Sequence, residues 1–239
     1  MLWIVQILNI MNTNDKYLES VQNYFPISKG DYPKKLASYL FQRFSLKKSD
    51  KFLELGAGRG EFLKEFIDLG VKGYGIDLSK DCQKLCPTAE IKTVNLEKEK
   101  FPYPDNYFDC IYSKSFVEHL YYPENIITEI YRTLKPGGKV ITLTPCWKYN
   151  YKMFYNDFSH RTPFNVKTLK YLYAYAGLKK SKVELFKQLP ILWKKNFFSN
   201  WLLHFLSEAT RYLLPTNFRK YSKWVRFSKE ILVLGYAEK

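Results

Sequence analysis

Short apolar runs alternate with amphipathic stretches along the chain from Lys51 onward. Apolar runs of about four to eight residues, bounded by turn residues, are typical of buried strands. The pattern predicts strands at Lys51–Leu55, Lys72–Asp77, Ile91–Val94, Phe108–Ser113, Lys139–Thr144 and Leu178–Phe186, and a final edge strand that begins at Ile231. Because the strands alternate with helical stretches, we expect an α/β fold in which helices flank a mainly parallel seven-stranded sheet.

Helices are predicted between these strands. One follows the glycine-rich turn after the first strand, and another spans Glu124–Leu134. Pro136 and Gly137 come next and should stop that second helix, since neither residue continues a helix well. A third helix is predicted over Val166–Tyr175, and Gly177 should end it.

Two regions lie outside this alternation. Residues 1–44 are predicted to form a helical cover, and residues 45–239 the main domain. The first ten residues are apolar but too short to span a bilayer, and they lack the features of a signal peptide. Residues 188–229 form a basic, aromatic insertion before the last strand, in which helical spacing relates Phe198, Leu202, Phe205, Ala209 and Leu213. The amphipathic helix predicted there could be a lid over the acceptor, a homodimer interface or a membrane contact.

The sequence ELGAGRGEF joins the first predicted strand to the first helix. Gly56, Gly58 and Gly60 allow a sharp turn and let a ligand approach the backbone closely, because a Cβ would intrude. Glu54 precedes the turn and Asp77 ends the second strand, where an acidic side chain can accept hydrogen bonds from both ribose hydroxyls. This spacing is typical of a Rossmann-like nucleotide site.

Glu61 distinguishes this turn from a dinucleotide site. It stands where the dinucleotide fingerprint has glycine or alanine. A carboxylate at the start of the helix would repel a pyrophosphate. The motif therefore favours a cationic cofactor without phosphate groups.

The segment from Phe52 to Pro145 resembles the class I S-adenosylmethionine-dependent methyltransferases. The resemblance rests on ELGAGRGEF, PDNYFDCIYSKSFVEHL and LKPGGKVITLTP, and it extends more weakly through DFSHRTPF and LKYLYAYAGL, which are similar to a small-molecule or glycan O-methyltransferase subgroup. It implies that S-adenosylmethionine is the cofactor. It also implies a cofactor site made of Glu54, Gly56, Gly58, Gly60, Asp77, Leu78, Asn95, Leu96 and Ser113. Asn95 replaces the aspartate that the family usually has beside the adenine.

The loop after the fifth strand supplies the candidate catalytic residues. Ligands of such folds bind at the carboxyl ends of the strands, so His160 in NDFSHRTPF should face the acceptor. A hydroxyl acceptor must lose its proton, and we expect His160 to be the general base, with Asp157 orienting it or acting as base itself. Alternatively, His160 only fixes the loop through a backbone hydrogen bond.

Glu118 and His119 follow the fourth strand at the same end of the sheet. His119 is a further catalytic candidate. A similar pair helps to bind a divalent metal in some quinone-precursor O-methyltransferases, but the carboxylate that would precede the pair is replaced by Ser115. We therefore predict no metal, and a capping or packing role for the pair is the alternative.

Composition changes the picture mainly through charge. The formal net charge is +15 and the isoelectric point about 9.4, which favours an anionic partner such as nucleic acid, a membrane surface or a phosphate-bearing substrate. The four cysteines form no zinc-binding pattern, and we expect reduced thiols in a cytoplasmic protein. The apolar content of 46% argues against global disorder.

The resemblance of DFSHRTPF to the glycan O-methyltransferase subgroup implies O-methylation of a carbohydrate or glycan intermediate, and the acceptor could be lipid-linked or carry a phosphate. One alternative is a quinone-type or other lipid acceptor, with the enzyme peripheral to a membrane. A second is RNA methylation, suggested by the charge, although no RNA-binding module is evident and nucleic acid is the less favoured partner. A third is a non-catalytic module that binds the cofactor.

Overall fold

The computed structural model describes residues 30–79, 81–193 and 197–239. The apolar N-terminal run and most of the predicted helical cover lie outside the described residues. Helices occupy α1 (Tyr32–Arg43), α2 (Glu61–Asp68), α3 (Cys82–Leu85), α4 (Pro123–Thr133), α5 (Trp147–Phe154), α6 (Val166–Tyr175), α7 (Phe197–Leu213) and α8 (Lys223–Lys229). Strands occupy β1 (Lys51–Leu55), β2 (Lys72–Asp77), β3 (Glu90–Thr93), β4 (Phe108–Lys114), β5 (Leu134–Pro145), β6 (Lys179–Lys187) and β7 (Ile231–Glu238).

The strands form one seven-stranded sheet in the order β3-β2-β1-β4-β5-β7-β6. Strands β3, β2, β1, β4 and β5 run parallel, whereas β7 is antiparallel to both of its neighbours. The predicted Rossmann-like α/β fold is confirmed, with the insertion placed before the last strand. The carboxyl ends of β1, β2, β4 and β5 therefore meet at one edge of the sheet, where the site residues are expected.

The prediction that the last strand lies at the edge of the sheet is wrong. Strand β7 lies between β5 and β6, and it is buried along nearly its whole length. A near-continuous apolar run such as ILVLG suits an interior strand, which has both faces covered. The edge belongs to β6, whose lysines at positions 179, 180 and 182 suit an unpaired margin.

Apolar side chains cover both faces of the sheet. One cluster, which includes Ile111, Ile130 and Leu169, packs α4 and α6 against it. The other, which includes Leu36, Phe52 and Phe66, packs α1 and α2 against the opposite face. All four cysteines are buried and free, in agreement with the predicted thiols. In the described part of the chain, no helix is both long and apolar enough to cross a membrane.

Candidate active site

The turn between β1 and α2 is built from three glycines in the left-handed backbone region. Gly56, Gly58 and Gly60 have φ values of 67°, 54° and 82°. Residues with a Cβ are disfavoured there. A Cβ on Gly56 would lie 2.6 Å from the Phe116 ring, and one on Gly60 would lie 2.8 Å from the Cys82 sulfur. Packing as well as backbone geometry thus requires glycine at both ends of the turn.

Gly58, in the middle of the turn, faces open space instead. A Cβ built there would meet no atom of the described residues within 4 Å. On its other side, the Gly58 N–H donates a 2.8 Å hydrogen bond to Asp77 Oδ2. The turn is therefore held by Asp77 and leaves room for a ligand directly against the Gly58 backbone.

Asp77 lies at the carboxyl end of β2 and uses both oxygens to order this region. Its Oδ1 accepts a 2.9 Å hydrogen bond from the Ser79 N–H, in addition to the Oδ2 bond from Gly58. Burial raises the pKa of the carboxyl, although the backbone hydrogen bonds oppose that shift. A carboxylate oxygen can accept more than one hydrogen bond, so the pair can still receive the hydroxyls of a ribose.

Buried polar atoms without partners concentrate around the same turn. Glu54 is only 3% exposed, and within the described chain its Oε2 has no hydrogen-bond partner. The same is true of Glu61 Oε1 and of the hydroxyl of Ser113, which is paired across the sheet with Leu55. Unpaired buried atoms cost free energy, so such a concentration suits a ligand that supplies the missing donors.

The charge of the turn decides which ligand fits. Burial, with Cys86 as a further cause, raises the pKa of Glu54 well above its usual range. Glu61 opens α2, and Asp77 stands on the other side of the turn. The carboxylates of Glu61 and Asp77 on the two sides of the turn would repel a pyrophosphate and attract a cation, and a cation beside Glu54 would favour the charged form of that carboxyl as well. The residues present therefore fit a sulfonium cofactor with a ribose better than a dinucleotide.

The remaining predicted cofactor residues follow the ends of β2 and β3 and lie in different surroundings. Leu78, directly after Asp77, is 37% exposed, whereas Leu96 is buried in the core. Asn95 Oδ1 already accepts a 3.1 Å hydrogen bond from the Glu97 N–H. Contact of all three with a bound cofactor stays a prediction.

The predicted acceptor loop is joined to the end of β4. The backbone N–H groups of Arg161 and Thr162 donate hydrogen bonds of 2.7 and 3.0 Å to the Glu118 carbonyl. The Thr162 hydroxyl adds a 2.6 Å bond to the Leu120 carbonyl. As a result, the two candidate segments, about forty residues apart in sequence, form one wall.

His160 is held by its Nδ1, which lies 2.6 Å from the Phe154 carbonyl at the end of α5. A carbonyl can only accept, so Nδ1 carries the hydrogen and the neutral ring has its lone pair on Nε2. Asp157 Oδ2 is 3.9 Å from that Nε2. Both predicted roles of His160 are compatible with this geometry, because one nitrogen fixes the loop and the other can accept a proton.

Asp157 is connected to His119 through Ser159. The Ser159 hydroxyl donates to Asp157 Oδ1 at 2.5 Å, so it must accept from His119 Nδ1, which is 2.8 Å away. Burial, and then the neighbouring His160 ring, lowers the pKa of His119 to about 4. Although burial alone would raise it, hydrogen bonds from Ser159 hold the pKa of Asp157 low. Asp157 is thus better suited to orienting an imidazole than to taking up a proton itself.

Glu118 is completely buried beneath the two histidines. The Thr144 hydroxyl donates a 3.0 Å hydrogen bond to its Oε2, while its Oε1 has no partner in the described part of the chain. Burial raises the pKa of this carboxyl to about 7, although the Thr144 bond and the charge of Lys114 oppose the shift. Around neutral pH the pocket can therefore exchange a proton through Glu118.

Replacement of Glu118 by glutamine should flatten the pH dependence of folding stability. The folded-state pKa of Glu118 is raised, so its contribution is fully present below about 4.5 and is lost as the pH rises through about 7. Over that window the wild-type protein should lose stability relative to Glu118→Gln by about 1 kcal/mol per pH unit. Urea unfolding of both proteins across the window measures the difference. Parallel curves for the two proteins would contradict a raised pKa at Glu118.

Sequence reasoning missed several groups that complete this site. Ser159 and Thr144 orient His119 and Glu118, and Tyr121 accepts a 2.6 Å hydrogen bond from Arg161 Nε through its hydroxyl. The D-x-S spacing of Asp157 and Ser159 is a local signal that could have identified the first of these. The other contacts join segments distant in sequence, which no local pattern reveals.

The same pocket has the donor set of a metal site. Glu118, His119 and His160 each offer one potential ligand atom, and these atoms lie within 4.8 Å of one another. A tetrahedral or octahedral site with bonds of about 2.1 Å needs its ligand atoms closer together. The interpretation without a metal stays a prediction, and metal binding is a competing outcome for the experiments below.

Comparison with known proteins agrees with the fold and with the position of the glycine turn. Residues 53–142 match the family model described as a methyltransferase domain. An uncharacterized protein of Methanocaldococcus jannaschii is 32% identical over 55% of this chain and 60% of its own length. Phosphoethanolamine N-methyltransferase 2 of Caenorhabditis elegans is 30% identical over 48% of this chain and 28% of its own. A ubiquinone/menaquinone biosynthesis C-methyltransferase of Pseudomonas fluorescens is 27% identical over 44% of this chain and 47% of its own. The chain thus spans less than two thirds of each of these relatives.

Solved structures extend the likeness of fold over most of the chain. A SAM-dependent methyltransferase from Archaeoglobus fulgidus has a TM-score of 0.62 and 22% identity, covering 87% of this chain and 94% of that one. Phosphoethanolamine N-methyltransferase 2 of Haemonchus contortus, in complex with S-adenosylhomocysteine, has a TM-score of 0.64 and 17% identity, covering 94% and 57%. At such identities the likeness concerns the fold.

Proposed function

We propose that this chain transfers a methyl group from S-adenosylmethionine to a hydroxyl of a carbohydrate or glycan intermediate, and the match of residues 53–142 to a methyltransferase domain supports the reaction type. The observation that carries the proposal is the anionic glycine turn, which has open space beside Gly58 and a buried unpaired carboxylate oxygen at Glu54. The oxygen acceptor is supported by the paired His160 and Asp157, since a hydroxyl must lose a proton and a base is needed for that.

In this proposal the cofactor lies along the carboxyl ends of β1, β2 and β4. S-adenosylmethionine would supply an electrophilic methyl group on a positively charged sulfur. The open space beside Gly58 would let the cofactor contact the backbone, and Asp77 would bind the ribose hydroxyls. Glu54 and Ser113 would offer buried hydrogen-bond acceptors. Leu78 then covers the base from the exposed side. These residues bind and orient the cofactor.

The acceptor would enter between this turn and the loop containing His160. His160 Nε2 would take the proton of the acceptor hydroxyl, which would leave its oxygen as the nucleophile for the methyl group that the cofactor would supply. Asp157, 3.9 Å from Nε2, stabilises the resulting imidazolium. His119, with its pKa lowered to about 4, stays neutral at physiological pH and can hydrogen-bond the acceptor.

Two measurements test the proposal. Calorimetry should detect binding of S-adenosylmethionine and S-adenosylhomocysteine to the full chain, and an absence of binding at millimolar cofactor would refute both the cofactor and the enzyme assignments. Transfer of radiolabelled methyl groups into fractionated cellular glycans, lipids and RNA should label the glycan fraction. Label in RNA alone would favour the nucleic-acid alternative, and cofactor binding without transfer to any fraction would favour a non-catalytic module.

A quinone-type or other lipid acceptor is the second candidate. It is favoured by the large aromatic and aliphatic side chains that α7 exposes, among them Trp201, Phe205 and Leu213. The Pseudomonas fluorescens relative, a C-methyltransferase of quinone biosynthesis, points in the same direction. Label recovered in the lipid fraction and not in glycans would select this candidate.

Two glycine variants separate ligand binding from folding. Gly58→Ala should weaken cofactor binding by about tenfold with a stability loss of only about 1 kcal/mol, because its methyl group occupies the ligand's space but strikes no protein atom. Gly56→Ala should mainly lower the free energy of unfolding, because its Cβ strikes the Phe116 ring at 2.6 Å. Calorimetry and urea unfolding of both variants give the comparison. Equal losses of affinity and stability in the two proteins would argue against a ligand beside Gly58.

A further inference from the structure

Helix α7 is amphipathic with its apolar side turned outward. Its outer apolar face, defined by Trp201, Leu202, Phe205, Leu206, Tyr212 and Leu213, has exposed fractions between 44% and 79%. At 100° per residue these six side chains occupy one side of the helix. A helix of a protein that meets only water shows the opposite arrangement, with its apolar stripe toward the core.

Polar contacts attach the inner side of α7 to the rest of the protein. Ser207 is fully buried and hydrogen-bonds the Ser228 hydroxyl at 3.0 Å and the Lys187 ammonium at 3.2 Å. Lys187 also forms a 2.6 Å ion pair with Glu208, and Trp224 Nε1 donates to the Thr210 hydroxyl at 2.9 Å. These contacts fix the rotation of the helix, so the outward direction of its apolar side is set by specific bonds.

The segment that contains and follows this outer apolar face is rich in positive charge. Residues 197–229 contain six basic residues and a single acidic one, Glu208. Lys220, Lys223 and Arg226 are exposed, next in the chain to the exposed aromatic side chains of Phe218 and Tyr221. An exposed apolar helix face in a segment with an excess of cations is the pattern of a helix that lies in the headgroup region of an anionic bilayer.

We propose that the outer apolar face of α7 docks the protein on an anionic lipid bilayer, with the helix lying parallel to the surface. At 17 residues the helix is about 25 Å long, which gives a contact line and not a span. Trp201 and Tyr212 are amphipathic aromatics of the kind that prefer the boundary between water and lipid tails. Lys220, Lys223 and Arg226 attract the lipid phosphates and hold the contact in place.

Electrostatics favours lipid over a second copy of the chain. A symmetric dimer through this face would bring the same basic residues of two copies together, in a protein with a net charge of +15. An anionic surface instead gains from the same charges. The docking concerns the insertion and is independent of the chemistry at His160.

Co-sedimentation of the full chain with vesicles tests the proposal. Vesicles of phosphatidylcholine and phosphatidylglycerol should bind the protein, and vesicles of phosphatidylcholine alone should bind it more weakly. Phe205→Glu should lower the partition constant by about tenfold or more, since it removes an exposed apolar group that the bilayer would bury and adds a negative charge that the anionic lipids repel. Lys220→Gln and Lys223→Gln should each lower it by about fivefold on anionic vesicles only. The matched control is Tyr171→Glu, which alters an even more exposed aromatic on α6 and should leave the partition constant unchanged.

Calorimetry of cofactor binding by each variant shows whether the domain is folded. A variant that binds the cofactor but not the vesicles has lost docking alone, so failure of the docking proposal is distinguishable from failure of the proposed methyl transfer. Vesicle binding that persists in Phe205→Glu would overturn the proposal, because another part of the chain would then carry it. A dimer seen by sedimentation in the absence of lipid, and abolished by Phe205→Glu, would also overturn it in favour of a second copy.

Discussion

Replacement of Asp77 by alanine should weaken S-adenosylmethionine binding by about 1–3 kcal/mol, the scale of hydrogen bonds to a charged group. The variant loses the acceptor for any ribose hydroxyl, and it also releases the Gly58 and Ser79 N–H groups that the carboxylate now holds at 2.8 and 2.9 Å. Both losses act on the same site, so affinity should fall more than stability. Calorimetry with S-adenosylhomocysteine, alongside urea unfolding, gives the two free-energy changes.

Asp68→Ala is the matched control for Asp77. Asp68 is the last residue of α2, at the end away from the glycine turn, is half exposed and forms an i,i+4 surface ion pair with Lys64. Such pairs contribute little to stability, and this one is remote from the carboxyl ends of the strands. Its replacement should leave cofactor affinity unchanged. If Asp77→Ala and Asp68→Ala bind the cofactor with equal affinity, Asp77 is not part of the cofactor site.

The cofactor turn could be predicted from sequence because its determinants are local. Gly56, Gly58 and Gly60 lie within five consecutive positions, and Asp77 follows at the end of the next strand of the same βαβ unit. The hydrogen bond from Gly58 to Asp77 then results directly from the parallel pairing of β1 with β2. A motif whose parts are joined by one helix keeps its geometry in any chain that folds this way.

The acceptor pocket could be predicted only in part. The sequence indicates that Glu118, His119 and His160 all follow strand ends, and the structure brings them together. Ser159, which orients His119 across forty positions, has no local pattern that points to His119. Contacts of this kind depend on how two loops meet in space, and periodicity contains no information about that.

The order of the strands and the orientation of helix α7 could not be predicted from the sequence, because both depend on contacts between distant segments. The apolar run from Ile231 predicts a strand, but its place between β5 and β6 is set by pairing partners far away in the chain. The spacing of Leu202, Phe205 and Leu213 predicts the helix α7, and the helix is confirmed. Which side of α7 meets solvent depends on the buried contacts of Ser207, and these reverse the usual arrangement.

His160→Ala should lower the turnover number by about a hundredfold or more and leave cofactor affinity unchanged. The reason is that the two ring nitrogens have different roles. Nδ1 is committed to the Phe154 carbonyl at 2.6 Å, so the only lone pair of the neutral ring is on Nε2, and Asp157 stands ready to stabilise a proton there. Removing the ring removes the proton acceptor but touches none of the residues at the glycine turn. Steady-state kinetics with the identified acceptor, and calorimetry with the cofactor, separate the two quantities.

His204→Ala is the matched histidine control, because His204 lies on α7 and is not among the residues whose potential ligand atoms come together at Glu118, His119 and His160 in the described part of the chain. Its rate should equal that of the wild-type protein. The turnover number of Asp157→Asn should lie between those of His160→Ala and His204→Ala. This variant keeps the Ser159 contact but loses the charge that stabilises an imidazolium. A near-normal rate for His160→Ala would reassign the residue to holding the loop. A wild-type rate that disappears with a chelator and returns with a divalent metal would instead give Glu118, His119 and His160 a ligand role, because a proton acceptor needs no metal to work.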